Sequence, residues 1–306
     1  MKKFTALLLI FALFLPQTIF ANESAPELAI KDLALYESEH VSGVLPLFQG
    51  DEAVTYQLNK IVEYIYESTV AELGENQNVI FSYEVIESGA FTSVLMHTDM
   101  HGYGTSEQRI NTFVLKTSDF SLMTLEDLLG VNAYKLANGV IARQIASAEE
   151  GMFFTGENAF RGLVEDPSFY LDADGNVVII FNKYTIAPGA AGMPTFKIPL
   201  DRVINFEVTA EDIFVQDGVT FVRLLPAKEA LGYTLTWDGD TRQVTISMGE
   251  QSHVLTIGSR QFNGRELVAA PIIRNDHTFV PVSFFELTPQ TYYLVEDDMV
   301  TISAIR

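Results

Sequence analysis

A group of candidate metal ligands lies near residue 100. Residues 97–101 read His-Thr-Asp-Met-His. Alternate side chains of a β-strand point to the same face, so His97, Asp99 and His101 would share a face if this segment is a strand. Imidazole nitrogens together with a carboxylate oxygen suit a borderline divalent metal. The favoured interpretation is an exposed strand end that runs into a turn at Gly102, and we predict no metal site.

Neighbouring carboxylates are the second candidate for chemistry. Glycoside hydrolysis needs two carboxyl groups at a defined separation, and Glu149-Glu150 and Asp297-Asp298 are pairs of acids. The chain has 40 aspartates and glutamates, so such pairs arise by chance, and we favour solvated surface. The motifs H-E-x-x-H and G-x-S-x-G and the P-loop are absent from the sequence. We predict no catalytic residue and no cofactor.

Residues 172–176 read Asp-Ala-Asp-Gly-Asn, which is similar to the start of a calcium loop. An EF-hand loop has glycine at its sixth position and glutamate at its twelfth. Those positions are Val177 and Lys183 in this chain. Strand-like runs flank the segment, and aspartate, glycine and asparagine are typical turn residues. The pattern therefore predicts a hairpin turn.

Tyrosine rings could provide stacking platforms for sugars. The candidates are Tyr64, Tyr66, Tyr103, Tyr134, Tyr184, Tyr292 and Tyr293. Most of them lie in periodic segments, where packing in the core explains them. Tyr103 is the exception because it stands between two glycines in a predicted loop. We assign it no role.

Composition limits the classes of function. The chain has 306 residues, 48% of them hydrophobic, so it can bury a core and has the length of about two domains. Lys and Arg number 19 against 40 Asp and Glu, which gives a formal net charge of −21. This charge repels nucleic-acid phosphates, so we exclude a nucleic-acid partner and expect a basic one. With Cys at 0, disulfides and thiol chemistry are excluded.

The N-terminus has the pattern of a secretory signal peptide. Residues 1–3 are basic after the initiator, residues 4–15 are apolar, and Ala21 stands at the expected cleavage point. The apolar run is shorter than the ~20 residues that cross a bilayer. We predict cleavage of residues 1–21 and a secreted, extracytoplasmic protein that is associated with the cell envelope and has no transmembrane anchor.

Several later segments have clear secondary-structure patterns. Residues 51–74 carry apolar side chains at helical spacing and predict an amphipathic helix closed by its last glycine. Residues 79–85 and 91–96 are rich in strand-forming residues and predict an antiparallel pair. Residues 125–129 and 132–148 predict two more helices, the first of them with a capping pattern.

An internal repeat marks the C-terminal third. Thr-Phe-Val at 220–222 recurs at 278–280, and Val-Thr-Ile at 244–246 recurs at 300–302. Each copy has the pattern of a strand, a short helix and a hairpin, and the helix of the first copy is predicted at 226–231. One copy cannot bury its apolar face alone. We therefore expect the two copies to pack into one small α+β domain.

The repeat also carries a family resemblance. Its segments 218–222, 229–238, 244–246 and 278–282 resemble the copper amine oxidase N-terminal-like domain, which is also called the stalk domain. The chain departs from the usual Val-Pro-Leu-Arg segment, which reads Val-Arg-Leu-Leu at 222–225. The resemblance implies a non-catalytic spacer or envelope-attachment unit and does not imply copper.

A second resemblance covers most of residues 40–200. Residues 45–50, 123–129, 169–172, 180–192 and 196–199 carry it. They are similar to the extracytoplasmic domain shared by RsiV-type anti-sigma factors, which sense lysozyme, and PdaC-type polysaccharide deacetylases. The cytoplasmic segment of the former and the metal-binding catalytic domain of the latter have no counterpart in this sequence. What the resemblance implies is an exported recognition domain whose ligand is a basic muramidase such as lysozyme, or a wall glycan.

These observations predict an α+β protein of two domains. We expect a recognition domain of antiparallel sheet plus helices at 22–207, and a duplicated β-α-β-hairpin stalk domain at 208–306. The expected function is that of an exported, non-catalytic cell-envelope protein that binds a basic, lysozyme-like protein or peptidoglycan. Two alternatives remain open: a metal-dependent wall-glycan hydrolase or deacetylase that uses His97, Asp99 and His101, and a purely structural spacer.

Overall fold

A computed structural model describes residues 28–35, 38–102, 104–248, 251–288, 290–297 and 299–306 of the chain. The predicted signal peptide, Tyr103 and Asp298 lie outside the described residues. The fold is a mixed α+β arrangement dominated by sheets, as predicted. We call residues 28–202 the first unit and residues 203–306 the second unit.

The first unit begins with a five-stranded sheet and one long helix. Its elements are β1 (Ala29–Ala34), β2 (Val41–Gln49), α1 (Glu52–Glu72), β3 (Gln77–Ser88), β4 (Phe91–Gly102) and β5 (Thr105–Lys116). The strands lie in sequence order, so β1 and β5 are the edges. The predicted β3–β4 pair is antiparallel, as are β1–β2 and β4–β5. One pair departs from the antiparallel pattern: β2 and β3 are parallel because α1 crosses between them.

The start of α1 is fixed by a side-chain cap. The Oδ1 atom of Asp51 accepts a hydrogen bond from the N–H of Ala53 at 2.9 Å, and such a cap stabilises a helix by about 1 kcal/mol. One face of the helix is buried against the sheet, where Leu58 and Val62 share a core cluster with Phe81. The sequence periodicity of α1 therefore predicted the helix and the burial of Leu58, whereas Ile61 of the predicted stripe is exposed.

The end of α1 differs from the prediction. The helix stops at Leu73, which is extended and whose N–H donates to the carbonyl of Val70. Gly74 was predicted to close the helix in the left-handed conformation, but its φ angle is not positive. Instead its N–H donates to Oε1 of Gln77 at 2.9 Å. Because that side chain satisfies the amide, the chain turns here without left-handed backbone.

The rest of the first unit packs two helices against a small antiparallel sheet. These elements are α2 (Leu125–Leu129), α3 (Ala133–Ala146), β6 (Phe169–Leu171), β7 (Asn176–Ile180) and β8 (Thr195–Pro199). Strand β7 is almost completely buried, as its continuous apolar run predicted. The predicted hairpin between β6 and β7 is confirmed. The carboxylate of Asp172 accepts hydrogen bonds from the backbone N–H groups of Asp174 and Asn176 in the turn and from Lys197 of β8, so these groups occupy it.

The second unit is built mainly from short strands. Its elements are β9 (Val203–Val208), β10 (Ile213–Gln216), β11 (Val219–Arg223), α4 (Leu224–Leu231), β12 (Thr234–Asp238), β13 (Gln243–Met248), β14 (Gln251–Thr256), β15 (Gln261–Phe262), β16 (Arg265–Glu266), β17 (Ile272–Arg274), β18 (His277–Pro281), β19 (Thr291–Glu296) and β20 (Met299–Ile305). They form sheets in the orders β10-β11-β18-β17, β12-β13-β14, β19-β20-β9 and β15-β16.

The internal repeat is visible in this topology. The first strands of the two copies, β11 and β18, pair antiparallel with Val222 opposite Val280. Each copy continues with a helical segment and a hairpin, α4 and β12–β13 in the first copy, a 3-10 segment at Val282–Leu287 and β19–β20 in the second. In the first copy, α4 begins at Leu224, two residues before the predicted start. Pro226 fits there because amides of the first helical turn have no intrahelical partner.

Strand β9 completes the second copy. It pairs antiparallel with β20, just as β14 pairs antiparallel with β13 in the first copy. The repeat is thus closed by a strand that precedes it in sequence. The domain boundary predicted at residue 207 falls inside β9.

A buried polar network joins the two units. Asn132, at the start of α3, is 2% exposed; its amide nitrogen donates to Oγ of Ser303 at 2.9 Å and to the carbonyl of Thr301 at 3.3 Å. Ser303 Oγ donates in turn to Oδ1 of Asn205 at 2.6 Å. The amide nitrogen of Asn205 donates to the carbonyl of Leu129 at 3.0 Å. These bonds fix the orientation of α2 and α3 on the sheet β19-β20-β9.

Candidate functional site

The three candidate metal ligands share one face of β4 but do not converge. His97 Nε2 lies 3.7 Å from Oε1 of Glu84, and Asp99 Oδ1 accepts a hydrogen bond from Gln108 at 2.9 Å. Alternate residues of a strand are about 7 Å apart, so His97 and His101 are separated by roughly 13 Å along it. Among the described residues, no group of three His, Asp or Glu side chains could hold a metal ion.

The carboxylate pairs show no catalytic arrangement either. Glu149 and Glu150 are exposed, and so is Asp297. None of these three makes an ion pair or a side-chain hydrogen bond with a described residue. Two of the candidate tyrosines differ from the expectation of core packing, since Tyr64 is 71% exposed and Tyr184 is 55% exposed.

A groove in the first unit is a candidate site formed by described residues. It has a volume of about 330 Å³, which is within the range of small ligand sites. Five separate parts of the chain line it: α1, β5, residues 122–126, Tyr134 of α3 and residues 166–169. We call this feature the α1–β5 groove.

Apolar side chains of the groove are accessible to solvent. Ile61 of α1 is 39% exposed and Leu122 is 49% exposed. Ile65 and Phe169 also line the groove and are half-buried. The sequence pattern assigned Ile61 to the buried stripe of α1, but the helix presents this residue to the groove. Accessible apolar surface of this kind is typical of binding sites.

The charged side chains of the α1–β5 groove are all acidic. Glu126 and Asp166 line it and are exposed, and no Lys, Arg or His lies among its lining residues. Burial raises the pKa of the Tyr134 phenol above its ordinary value, a backbone hydrogen bond from Asp166 opposes this, and the carboxylates of Glu126 and Glu165 add to the rise. Tyr134 therefore stays a neutral hydroxyl at physiological pH.

Local structure holds both acids in place. Thr124 and Asp127 form a capping box at the start of α2, which places Glu126 in the first helical turn. Hydrogen bonds from the backbone and side chain of Thr124 lower the pKa of Asp127 below its ordinary value, so this carboxylate also stays charged. Asp166 has a φ angle of 52° and precedes Pro167, a neighbour that disfavours the right-handed helical region.

Two segments contact β5 at Thr112 and Val114, which both line the groove. On one side the N–H of Phe169 donates to Oγ1 of Thr112 at 2.9 Å. On the other side the N–H of Met123 donates to the carbonyl of Val114 at 2.8 Å. Sequence reasoning missed the site because its residues come from segments far apart in the chain, and no local motif connects them.

Comparison with known families divides the chain in the same place as the structure. Residues 126–201 match a family described as a protein of unknown function, DUF3298. Residues 203–291 match the copper amine oxidase N-terminal domain. The second match confirms the resemblance of the repeat, and it begins with β9. No curated protein matches the chain.

These matches indicate a non-catalytic accessory or spacer character for the matched domains. The DUF3298 region contributes Glu126, Tyr134 and residues 166–169 to the α1–β5 groove, while α1 and β5 lie outside it. The finer resemblance to RsiV-type and PdaC-type domains stays a prediction. In the described part of the chain, no helix has the length and hydropathy needed to cross a membrane.

Proposed function

We propose that this chain is an exported, non-catalytic protein of the cell envelope that binds a basic partner, such as a lysozyme-like protein, in the α1–β5 groove. The second unit then serves as the stalk that holds the groove away from its attachment. The single observation that supports this proposal best is the lining of the groove, which combines two acids, no basic residue and accessible apolar side chains.

Electrostatics supports a basic partner in two ways. The net charge of −21 attracts a cationic protein over a distance of about one Debye length, ~8 Å at physiological salt. Close to the surface, Glu126 and Asp166 select for lysine or arginine side chains, since opposite charges at an interface mainly provide specificity and rapid association. Ile61 and Leu122 then supply the apolar contact that favours retention.

The pattern of residues 1–21 and the absence of cysteine support export. A non-catalytic role is supported by the arrangement of β4, whose histidines do not converge on a common point. The duplicated unit resembles a spacer, and its sheet β19-β20-β9 is joined to α3 by buried hydrogen bonds. A stalk attached in this way would carry the groove in a fixed orientation.

The test is binding of lysozyme to residues 22–306 at 50 mM and 300 mM salt, measured by calorimetry. We expect the double variant Glu126→Gln, Asp166→Asn to bind at least tenfold more weakly at low salt, and we expect the salt dependence to be reduced. The matched control is Glu229→Gln, Asp217→Asn in the second unit, which changes one exposed helical glutamate and one aspartate with positive φ.

Equal loss of binding in the groove variant and the control would mean that net charge alone attracts the partner. If the chain is retained on purified peptidoglycan and neither double variant reduces this retention, the result favours a glycan ligand that binds outside the groove. If neither lysozyme nor peptidoglycan is bound, the chain is a structural spacer and the proposal is wrong.

A further inference from the structure

Thr112 of the edge strand β5 lines the α1–β5 groove, and no segment of the described chain outside β4 makes a main-chain hydrogen bond to its N–H or C=O. We propose that the groove accepts an extended segment of its basic partner as a short additional strand beside Thr112. This inference rests on the proposed function of the groove and adds how the partner is recognised, namely through main-chain hydrogen bonds.

The hydrogen-bond pattern shows which groups of β5 face outward. In an antiparallel ladder, residues alternate between those that bond to the neighbouring strand and those whose N–H and C=O point away from it. Ile110 points away from β4, since its N–H donates to Oδ1 of Asn182 at 2.9 Å. Val114 points the same way, since its carbonyl accepts from Met123. Thr112 lies midway between them, so its N–H and C=O also point to the outer edge.

Neither main-chain group of Thr112 is used by the segments that cover this edge. Among the described residues, the contact to Thr112 from these segments goes to its side chain, where Oγ1 accepts from the N–H of Phe169. The edge is paired again at Leu115, which bridges to Leu122. An outward N–H and C=O on an edge strand form a template for another strand. The interval from Ile110 to Val114 is roughly 13 Å, enough for two or three residues of an extended segment.

The lining of the groove indicates which side chains such a segment carries. An extended chain presents successive side chains to opposite faces. The groove offers two chemistries to these faces, the apolar surface of Ile61 and Ile65 and the carboxylates of Glu126 and Asp166. A segment in which basic and apolar residues alternate would match both. The occupant is therefore a short, exposed, extended stretch of a basic protein.

The first experiment uses a probe peptide, acetyl-Lys-Val-Arg-Val-Lys-amide, and residues 22–306. We expect binding by calorimetry and at least tenfold slower hydrogen exchange of the Thr112 amide in the complex. Two analogues carry a single N-methyl group on the central arginine or on the valine after it. Because only alternate N–H groups of an added strand face the edge, one analogue should bind at least tenfold more weakly, and the other within threefold of the parent.

Two variants of the protein test the same point from the other side. Thr112→Pro removes the outward N–H, and proline is tolerated on an edge strand where that group has no ladder partner. Thr112→Val keeps the N–H and removes the hydroxyl that Phe169 uses. We expect the valine variant to bind the peptide within threefold of the wild type and the proline variant to lose at least tenfold.

Three results would overturn the inference. They are equal binding of both methylated analogues and the parent, an unchanged Thr112 exchange rate in the complex, and failure of the parent peptide to bind. If Thr112→Pro does not fold, the methylated peptides and the exchange measurement still decide the question. If lysozyme binds in a manner that depends on Glu126 but the probe peptide does not bind, strand addition is refuted. The proposed function of the groove is then still supported.

Discussion

The hydroxyl of Tyr292 occupies the space in which a side chain at Gly139 would lie. Gly139 is in the middle of α3, and a Cβ atom placed there would overlap the Tyr292 oxygen and the adjacent ring carbon. Tyr292 belongs to β19 of the second unit, so the close approach crosses the junction between the units. Glycine within a helix destabilises it by about 1 kcal/mol relative to alanine. At Gly139, the absence of a side chain allows α3 and Tyr292 to come into contact.

We expect Gly139→Ala to destabilise the protein by about 1–3 kcal/mol, because the new methyl group must displace Tyr292. In a Tyr292→Ala background the same change should stabilise by up to about 1 kcal/mol, since only the gain in helix propensity remains. Urea unfolding of the four proteins in this cycle measures both effects. A change of equal size in the two backgrounds would contradict the structural explanation.

The buried network at the start of α3 gives a second prediction. Asn132→Ala removes the bonds to Thr301 and Ser303 and leaves their oxygen atoms short of a donor. The expected loss is about 1–3 kcal/mol of unfolding free energy. Gln144→Ala is the control, since this exposed side chain of the same helix donates to the carbonyl of Lys197 at 3.3 Å, and we expect it to change stability by less than about 0.5 kcal/mol. Similar losses for both variants would assign the effect to α3 itself rather than to the junction.

Removal of the second unit should weaken the first unit. Tyr292 and Ile305 pack against the same core cluster as Leu136 and Phe196, so a chain that ends at residue 202 exposes part of this core. We expect residues 22–202 to have a lower melting temperature than residues 22–306, together with a reduced near-ultraviolet circular dichroism signal per aromatic residue of the first unit. A melting temperature for the fragment equal to that of the first transition in the full chain would show that the units are thermodynamically independent.

Asp172 makes stability depend on pH. Burial alone would raise its pKa, but hydrogen bonds from Lys197 and Asn176 outweigh this and bring the pKa below its ordinary value. A carboxylate with a lowered folded-state pKa stabilises the protein above its unfolded-state value, and the contribution disappears as the pH falls through the folded-state value. We expect the melting temperature to fall below about pH 4, and Asp172→Asn to show a smaller fall. Asp174→Asn, in the same turn, should retain the wild-type profile, and a parallel profile for Asp172→Asn would contradict this role.

Local elements of the fold were predictable because their causes are local. The cap at Asp51 directly precedes α1, the periodicity of Val54 and Leu58 lies within α1, and the hairpin after β6 depends on the hydrogen bonds of Asp172 with its near neighbours. The duplication was also predictable from the sequence, since Val222 and Val280 belong to the repeated Thr-Phe-Val motif. The two residues pair directly in the structure.

Features that depend on distant segments were not predictable in the same way. The need for glycine at position 139 was not predictable, because the Tyr292 side chain that requires it lies about 150 residues away on β19. The parallel pairing of β2 and β3 depends on the path of α1. No strand was predicted for the residues that form β5. The position of Ile61 at the groove, rather than in the core, depends on where residues 122–126 and 166–169 pass over the β5 edge.

By itself, the sequence determined the acidic charge, the absence of thiol chemistry, the α+β class, the repeat and the main local turns and helices. Only the tertiary structure decided that His97 and His101 stay apart and that Glu126, Asp166 and Thr112 line one groove. The reason is physical. Charge and periodicity are properties of composition and of neighbours in sequence, whereas a binding surface is formed by packing between segments that are neighbours only in space.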